Sequence, residues 1–498
     1  MRQKEYLRSR YRTIIGYTGL MMALLGALHL VPLVVVPFFL EEAQFAPIFL
    51  FVGALLIAPG YLAYRLFQPR DSDALTLTEG MVVIVLVWLA ALLASTPPLM
   101  SVSGLTFPQA FFESTSGWTA TGLTVLVPED TPRIILLHRS LMQVWGSAGF
   151  AILALSVLAA SLGAGLSAAE GRTDQLAPNI RRSASIVLYI YVGYLIFGVI
   201  ALRMAGMGWF DAINHSFTAV ATGGFSTKNR SIAHFDSALI EAVIILLMFL
   251  GSVNFLIAYT AIRGKWRDVL RSGEIRLMFG IVVPSMLLVF LVTVRGLYGL
   301  EREVRVAVFE VMSAITSTGF SVANYADWND FGLAMLALLM LIGGGVGSTS
   351  GGIKLLRVYV LYKAVTWEIR KAFMPQHMVN EPAIRQGDRR DLLSDRQTRQ
   401  VGAFLVMFLI VFLAGTGAMM MAGYPMLDSV FEVASAIGNA GLSIGQTQPD
   451  MPESMMWSQS IVMLMGRLEF FAVIIGLLKL GGDMWQLLKP RKRSSRSA

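Results

Sequence analysis

The segment "VFEVMSAITSTGFSV" (residues 308–322) joins about ten residues of helical character to an irregular Gly/Thr/Ser tail. Such a helix is too short to cross a bilayer, which takes about 20 residues. Three further segments match it without gaps: "FFESTSGWTATGLTV" (111–125), "AINHSFTAVATGGFS" (212–226) and "VFEVASAIGNAGLSI" (430–444). They align on Gly122, Gly223, Gly319 and Gly441, spaced 101, 96 and 122 residues apart. Nine residues before each glycine stand Glu113, Asn214, Glu310 and Glu432, preceded by Phe112, Ile213, Phe309 and Phe431. Four matches at one offset mark an internal repeat. The pattern suits a re-entrant helix that enters halfway and returns as extended chain. Non-helical backbone at that depth is tolerated only where it lines a watery path or is buried in protein.

Apolar segments flank every copy, before and after: 78–95 and 134–162, 186–202 and 238–262, 277–294 and 331–367, 401–422 and 455–480. Segments 14–40 and 48–67 form a leading hairpin. The first of these follows a basic stretch but is too long for the core of a signal peptide, so it reads as a retained helix. The expectation is an all-α polytopic membrane protein with 10 membrane spans. It comprises an N-terminal two-helix hairpin (1–70) and four helix–pore loop–helix repeats around a central ion pore. The repeats fall at 71–165, 180–265, 272–372 and 399–488, with a cytoplasmic linker at 373–398 and a basic tail at 489–498. Composition agrees: 55% of the 498 residues are hydrophobic and only 14% charged, against about 25% charge in soluble proteins. The absence of cysteine excludes disulfides, iron–sulfur clusters and thiolate zinc sites.

The net charge of +8 has a topological cause. With these spans, 31 of the 40 Lys and Arg lie on one side and 8, Arg139 among them, on the other, leaving Arg467 inside a span. The positive-inside bias puts both termini in the cytoplasm and the four loops outside, so the basic balance does not imply nucleic-acid binding.

Around one axis, each half-helix would point the negative end of its dipole inward. Rings of backbone carbonyls can replace the hydration shell of a monovalent cation, and glycine lets the backbone turn its oxygens that way. The expected ion-contacting strands are 120–124, 221–225, 317–321 and 439–443. Their key residues are Ala120, Thr121 and Gly122; Ala221, Thr222 and Gly223; Ser317, Thr318 and Gly319; Asn439, Ala440 and Gly441. The bland alternative, close helix packing by small residues, does not explain four copies at one offset.

The motifs "TATGLT", "ATGGFST", "TSTGFS" and "GNAGLSIG", with "GGGVGSTSGGIK" and "GRLEFF", resemble the Trk/Ktr/HKT superfamily of potassium transporters, in order and over nearly the whole chain. The leading hairpin and the "GRLE" form point to its TrkH-type branch. The resemblance implies a single-chain pseudo-fourfold pore for potassium in a bacterial inner membrane and a homodimer. It also implies regulation by a cytoplasmic TrkA-like nucleotide-binding (RCK) subunit. No cofactor is expected on this chain; potassium is its substrate. Family members with serine in the first loop tend to pass sodium, so Gly122 is informative. The fourth loop departs most, with Asn439-Ala440-Gly441.

A ten-residue run with six glycines, 343–352, interrupts the apolar segment 331–367. It nearly matches a phosphate-binding loop, but Ile353 precedes Lys354 and Leu355 stands where Ser or Thr is required. About half a bilayer of helix precedes it, which puts it near the midplane below the loops. The reading is a gate of Gly343, Gly344, Gly345, Gly347, Gly351 and Gly352 for mobility, Ser348 and Thr349 (with Ser350) for polar contacts, and Lys354 facing the pathway. Arg467, a costly intramembrane charge, either pairs with an acid such as Glu469, grips loop carbonyls or faces the pore as a barrier. Glu113, Glu310 and Glu432 read as braces rather than ion ligands. Asp211, Asp327 and Asp330 are placed near the outer mouth, where they would concentrate cations. No histidine spacing suits a metal, and no nucleophile–base constellation supports a membrane enzyme. Broken helices also occur in symporters, which keeps open a transporter coupling potassium to sodium or protons by alternating access.

Overall fold

The computed structural model describes residues 2–67, 75–149, 180–374, 383–386 and 389–489. Its leading hairpin is α1 (Arg2–Leu30) and α2 (Ala46–Leu66). Their axes approach closely because glycines face each other. A Cβ at Gly60 would lie 2.6 Å from the Gly19 carbonyl oxygen, and one at Gly26 would lie 2.7 Å from that of Gly53. Membrane helices associate through such small residues, because lipid gives apolar side chains no reason to seek each other. Gly60→Val is expected to cost about 1–3 kcal/mol by overpacking. A lowered melting temperature in detergent would show it; an unchanged one would mean that the hairpin tolerates separation.

The repeats follow. The first holds α3 (Leu77–Ser103), the half-helix α4 (Phe107–Trp118) and α5 (Arg133–Val144), which runs into a π-turn, Trp145–Gly149. The second holds α6 (Ile180–Met204), half-helix α7 (Trp209–Val220), α8 (Ala238–Ser252) and α9 (Phe255–Ile262). A short α10 (Trp266–Arg271) leads to α11 (Gly273–Leu288), half-helix α12 (Leu300–Ile315), α13 (Asp330–Ile342) and α14 (Leu355–Lys371). After strands β1 (Ala383–Gln386) and β2 (Arg389–Leu392) come α15 (Asp395–Met421), half-helix α16 (Met426–Ile437), α17 (Glu453–Arg467) and α18 (Phe470–Leu488). Fourth and first repeats meet, since α17 packs on α4 and α18 on α3. Tyr11 Oη adds a 3.1 Å hydrogen bond to Asp483 Oδ2, tying the leading hairpin to α18.

This is a polytopic all-α membrane protein. Among the described residues, seven helices are long and apolar enough to cross a membrane, or eight if the bent pair α8–α9 is one span. Large apolar side chains such as Phe51, Leu55, Ile196 and Leu413 face outward, as lipid allows. Three of the ten expected spans are bent or broken. Segment 238–262 bends by 110°, where Asn254 caps a new helix by accepting from Leu256 N at 2.7 Å. Segment 331–367 is broken by the glycine run, as expected. Segment 455–480 breaks after Arg467, so that arginine ends a helix rather than sitting within one, and Glu469 adopts a φ of 54°. The end of segment 134–162, the connection from there to the second repeat and the basic tail after Lys489 lie outside the described residues. The described part of the linker 373–398 has structure of its own. It carries the β1–β2 hairpin, and Ile384 and Leu393 bury against Val360 of α14.

Candidate ion pathway

Each half-helix ends in the same way. One residue past its cap the chain enters left-handed backbone, at Ala120 (φ 52°), Thr222 (50°), Ser317 (53°) and Asn439 (49°). Two residues further stand left-handed glycines: Gly122 (101°), Gly224 (72°), Gly319 (87°) and Gly441 (83°). The second repeat therefore slips by one residue from its expected register. Its strand is Thr222-Gly223-Gly224, and Ala221 is only the helix cap. The slip moves Asn214 off the glutamate position and His215 onto it.

The four glycines close a ring. A Cβ on Gly122 would overlap the carbonyl oxygen of Gly223, one on Gly224 that of Thr318, one on Gly319 that of Ala440, and one on Gly441 that of Thr121. Each strand thus abuts the next, and the fourth returns to the first. The same glycines line a vestibule of about 840 Å³ on the side where the four strands leave the ring.

Behind the ring a polar brace recurs. Thr124, Ser226, Ser321 and Ser443, two residues past each glycine, give their hydroxyls to Glu113 (2.9 Å), His215 (2.9 Å), Glu310 (2.9 Å) and Glu432 (2.6 Å). Each hydroxyl accepts in turn from a main-chain N–H two residues on, at Leu126, Lys228, Ala323 and Gly445. The carboxylates also accept from the N–H of Val125 (3.1 Å), Val322 (2.7 Å) and Ile444 (3.0 Å). Glu113, Glu310 and Glu432 are at most 1% exposed, and these bonds compensate their burial. This agrees with their reading as braces. Asn214 instead accepts from Ser140 Oγ at 2.7 Å.

Arg139 was placed among the outer charges by the sequence. It is buried, its Nε donating to Glu113 at 2.7 Å, and its guanidinium lies 3.9 Å from the Phe225 ring centroid. It therefore ties the first strand to the second. The vestibule lining corrects the expected acidic mouth: Asp327 is there, but so are Lys228, Arg230 and Arg302. Asp211 is turned to Thr227 Oγ1 at 2.6 Å and Lys228 at 3.7 Å, while Asp330 begins α13.

The glycine run sits directly under the half-helix ends. Thr349 Oγ1 bonds Val220 O (2.9 Å) and Gly251 O (2.8 Å), and Ser350 Oγ donates to Thr316 O at 2.8 Å. A Cβ on Gly351 would overlap Gly438 O. Three of the four half-helices thus rest on this run. Its amides are taken within the protein: Gly344 N by Ser350 Oγ, Gly345 N by Ser252 O, Val346 N by Glu274 Oε1 and Thr349 N by Gly251 O. A phosphate cradle needs those N–H groups free, which disposes of the near-miss nucleotide motif.

Arg467 grips carbonyls. It donates to Thr349 O (2.8 Å), Gly146 O (3.1 Å) and Ser147 O, joining the glycine run to the first repeat. Glu469 does not pair with it; that carboxylate takes Arg357 Nη2 at 2.7 Å. Arg467, Lys354, Arg357 and Glu469 share the wall of a cavity of about 70 Å³ beside the run.

Four half-helix loops closed into a ring of glycines and carbonyls, in a membrane-spanning helical bundle, place the molecule among cation transport proteins. The chain belongs to the TrkH family of cation transport proteins, which matches residues 48–301 and 285–486. It is 31% identical over 486 residues to an uncharacterised cation transporter of Methanocaldococcus jannaschii, covering 96% of this chain and 97% of the relative. It is 30% identical to the Trk system potassium uptake protein TrkH of Escherichia coli, covering 93% and 98%. The crystal structure of the potassium transporter TrkH from Vibrio parahaemolyticus superposes with a TM-score of 0.81 at 27% identity, over 95% of this chain and 99% of that one.

Proposed function

We propose that this chain takes potassium into the cell through the fourfold ring, which acts as a selectivity filter. The observation that carries this reading is the closure of the ring: each left-handed glycine abuts the next strand's carbonyl. A dehydrated cation on that axis would meet oxygens from all four strands. The names of the relatives, potassium uptake proteins at 30% identity, support potassium as the ion. The glycine run 343–352 and Arg467 form the gate below. Both termini are cytoplasmic, the assembly is a homodimer, and a cytoplasmic RCK-type nucleotide-binding subunit pulls the gate open. The excess of positive charge on one side supports the orientation.

The direct test is rescue. Expressed with a Trk regulatory subunit in bacteria lacking potassium uptake, the chain should restore growth at low potassium and carry rubidium but little sodium. Correctly inserted protein that restores no growth, or carries sodium equally well, overturns the reading. Single-channel currents in bilayers would mark a pore, whereas slow saturating flux would mark alternating access.

A further inference from the structure

Three of the four braces behind the ring are carboxylates, and the second is His215. Its role is fixed by its partners. Nδ1 lies 2.8 Å from the Asp211 carbonyl oxygen, which can only accept, so Nδ1 carries the proton. Nε2 is left as the acceptor for the Ser226 hydroxyl at 2.9 Å. Ser226 Oγ in turn accepts from Lys228 N at 3.0 Å. The relay of acceptor, hydroxyl and main-chain N–H is thus kept in all four repeats, with the acceptor at the same offset.

His215 nevertheless braces less than its counterparts. A carboxylate has two oxygens, and those of the other repeats also hold the N–H three residues past the ring glycine. The imidazole has one acceptor, and Ser226 uses it. The second strand draws its remaining hold from Gln143 of α5: Oε1 accepts from Phe225 N at 3.2 Å and Nε2 donates to Gly223 O at 2.6 Å. Gly223 O belongs to the ring, alongside the carbonyls of Thr121, Thr318 and Ala440. Among the described residues, it is the one of these four that receives a side-chain N–H. The second strand is therefore tethered through neutral side chains and pulled from behind.

We propose that His215 is a positioning residue for ion selection: its Nε2 lone pair, acting through Ser226, sets where the second strand presents its carbonyls to the ion. It touches no ion itself. Its surroundings make it a dedicated brace, packed between Phe235 and Phe320 with ring centroids 5.4 and 5.7 Å away. The inference rests on the reading of the ring as a potassium filter.

Reconstituted full-length protein tests it, with the potassium-to-sodium permeability ratio as readout, because a ratio does not depend on how much protein folds. His215→Leu keeps the bulk and removes the acceptor. His215→Gln keeps an acceptor oxygen, and Ser226→Ala removes the hydroxyl. One lost hydrogen bond behind the filter is expected to lower the ratio about threefold to tenfold in His215→Leu and Ser226→Ala, with His215→Gln within about twofold of the parent. If His215→Leu does not fold, Ser226→Ala decides. A parent-like ratio in the acceptor-less variants, or an equal loss in His215→Gln, overturns the inference while the filter reading stands. A parent protein that does not prefer potassium defeats the filter reading itself.

Discussion

Gly122→Ser is expected to collapse the preference for potassium over sodium while leaving a folded, conducting protein. Two effects act together. Gly122 has a φ of 101°, a region that a residue with a Cβ enters only under strain. The new Cβ would also overlap Gly223 O of the neighbouring strand, so one of the two strands must move. A ring that substitutes for a hydration shell depends on where its oxygens stand. A shift costing about 1.4 kcal/mol of relative ion stabilisation is tenfold in selectivity, and a decrease of at least about that size is expected in reversal-potential measurements. The observed register sharpens the test. Gly224→Ser should be as harmful, because its Cβ would overlap Thr318 O. A Cβ on Gly223 would first meet the far end of the Gln143 side chain rather than a neighbouring strand's backbone, so Gly223→Ser should be milder than Gly224→Ser, its loss being that of the Gln143 tether. An unchanged ratio in Gly122→Ser, or a Gly223 variant worse than the Gly224 one, would take the ring out of the ion path or restore the other register.

The second repeat hides its register in the sequence. "ATGGFS" offers two glycines, and matching the first put Asn214, a polar residue, at the glutamate position. The deciding signal was the hydroxyl eleven residues past each brace. From Glu113, Glu310 and Glu432 that count reaches Thr124, Ser321 and Ser443; from His215 it reaches Ser226, but from Asn214 only Phe225. The repeats themselves were legible because a half-length helix ending in glycine is a local pattern. The bends were not, because they are made by distant partners. Asn254 turns the chain where the glycine run docks, with Phe255 N bonding Gly347 O at 3.2 Å, and Glu469 is held by Arg357 from α14. Arg139 looked like one more outer charge because its partner, Glu113, lies 26 residues away on another helix. The linker hairpin was hidden in a run of charges, with only Ile384 and Leu393 to anchor it.

Arg467→Ala is expected to raise potassium flux in correctly folded protein. The guanidinium presents five donors, and its carbonyl partners Thr349 O, Gly146 O and Ser147 O belong to the glycine run, the proposed gate, and to the first repeat. Removing it takes away the bond between those two bodies and a positive charge from the cavity beside the glycine run, which the proposed function puts on the ion's route. The glycine run keeps other anchors, since Thr349 Oγ1 still reaches Val220 O and Gly251 O, so the gate is loosened rather than freed. Charge-assisted hydrogen bonds are worth about 1.5–3 kcal/mol each. Even half of one such bond, spent on the closed state alone, would raise the open population several-fold. Rubidium flux into liposomes should rise by about fivefold or more. Arg467→Lys should fall between, because an ammonium is a point charge without the planar fork that bridges separated acceptors. A further Thr349→Val change should add to the rise, since it cuts the remaining tie to the second half-helix. The alternative is that Arg467 props the pathway open by holding α17 against the first repeat. In that case flux falls in Arg467→Ala although the protein keeps its melting temperature, and the arginine is a strut rather than a lock.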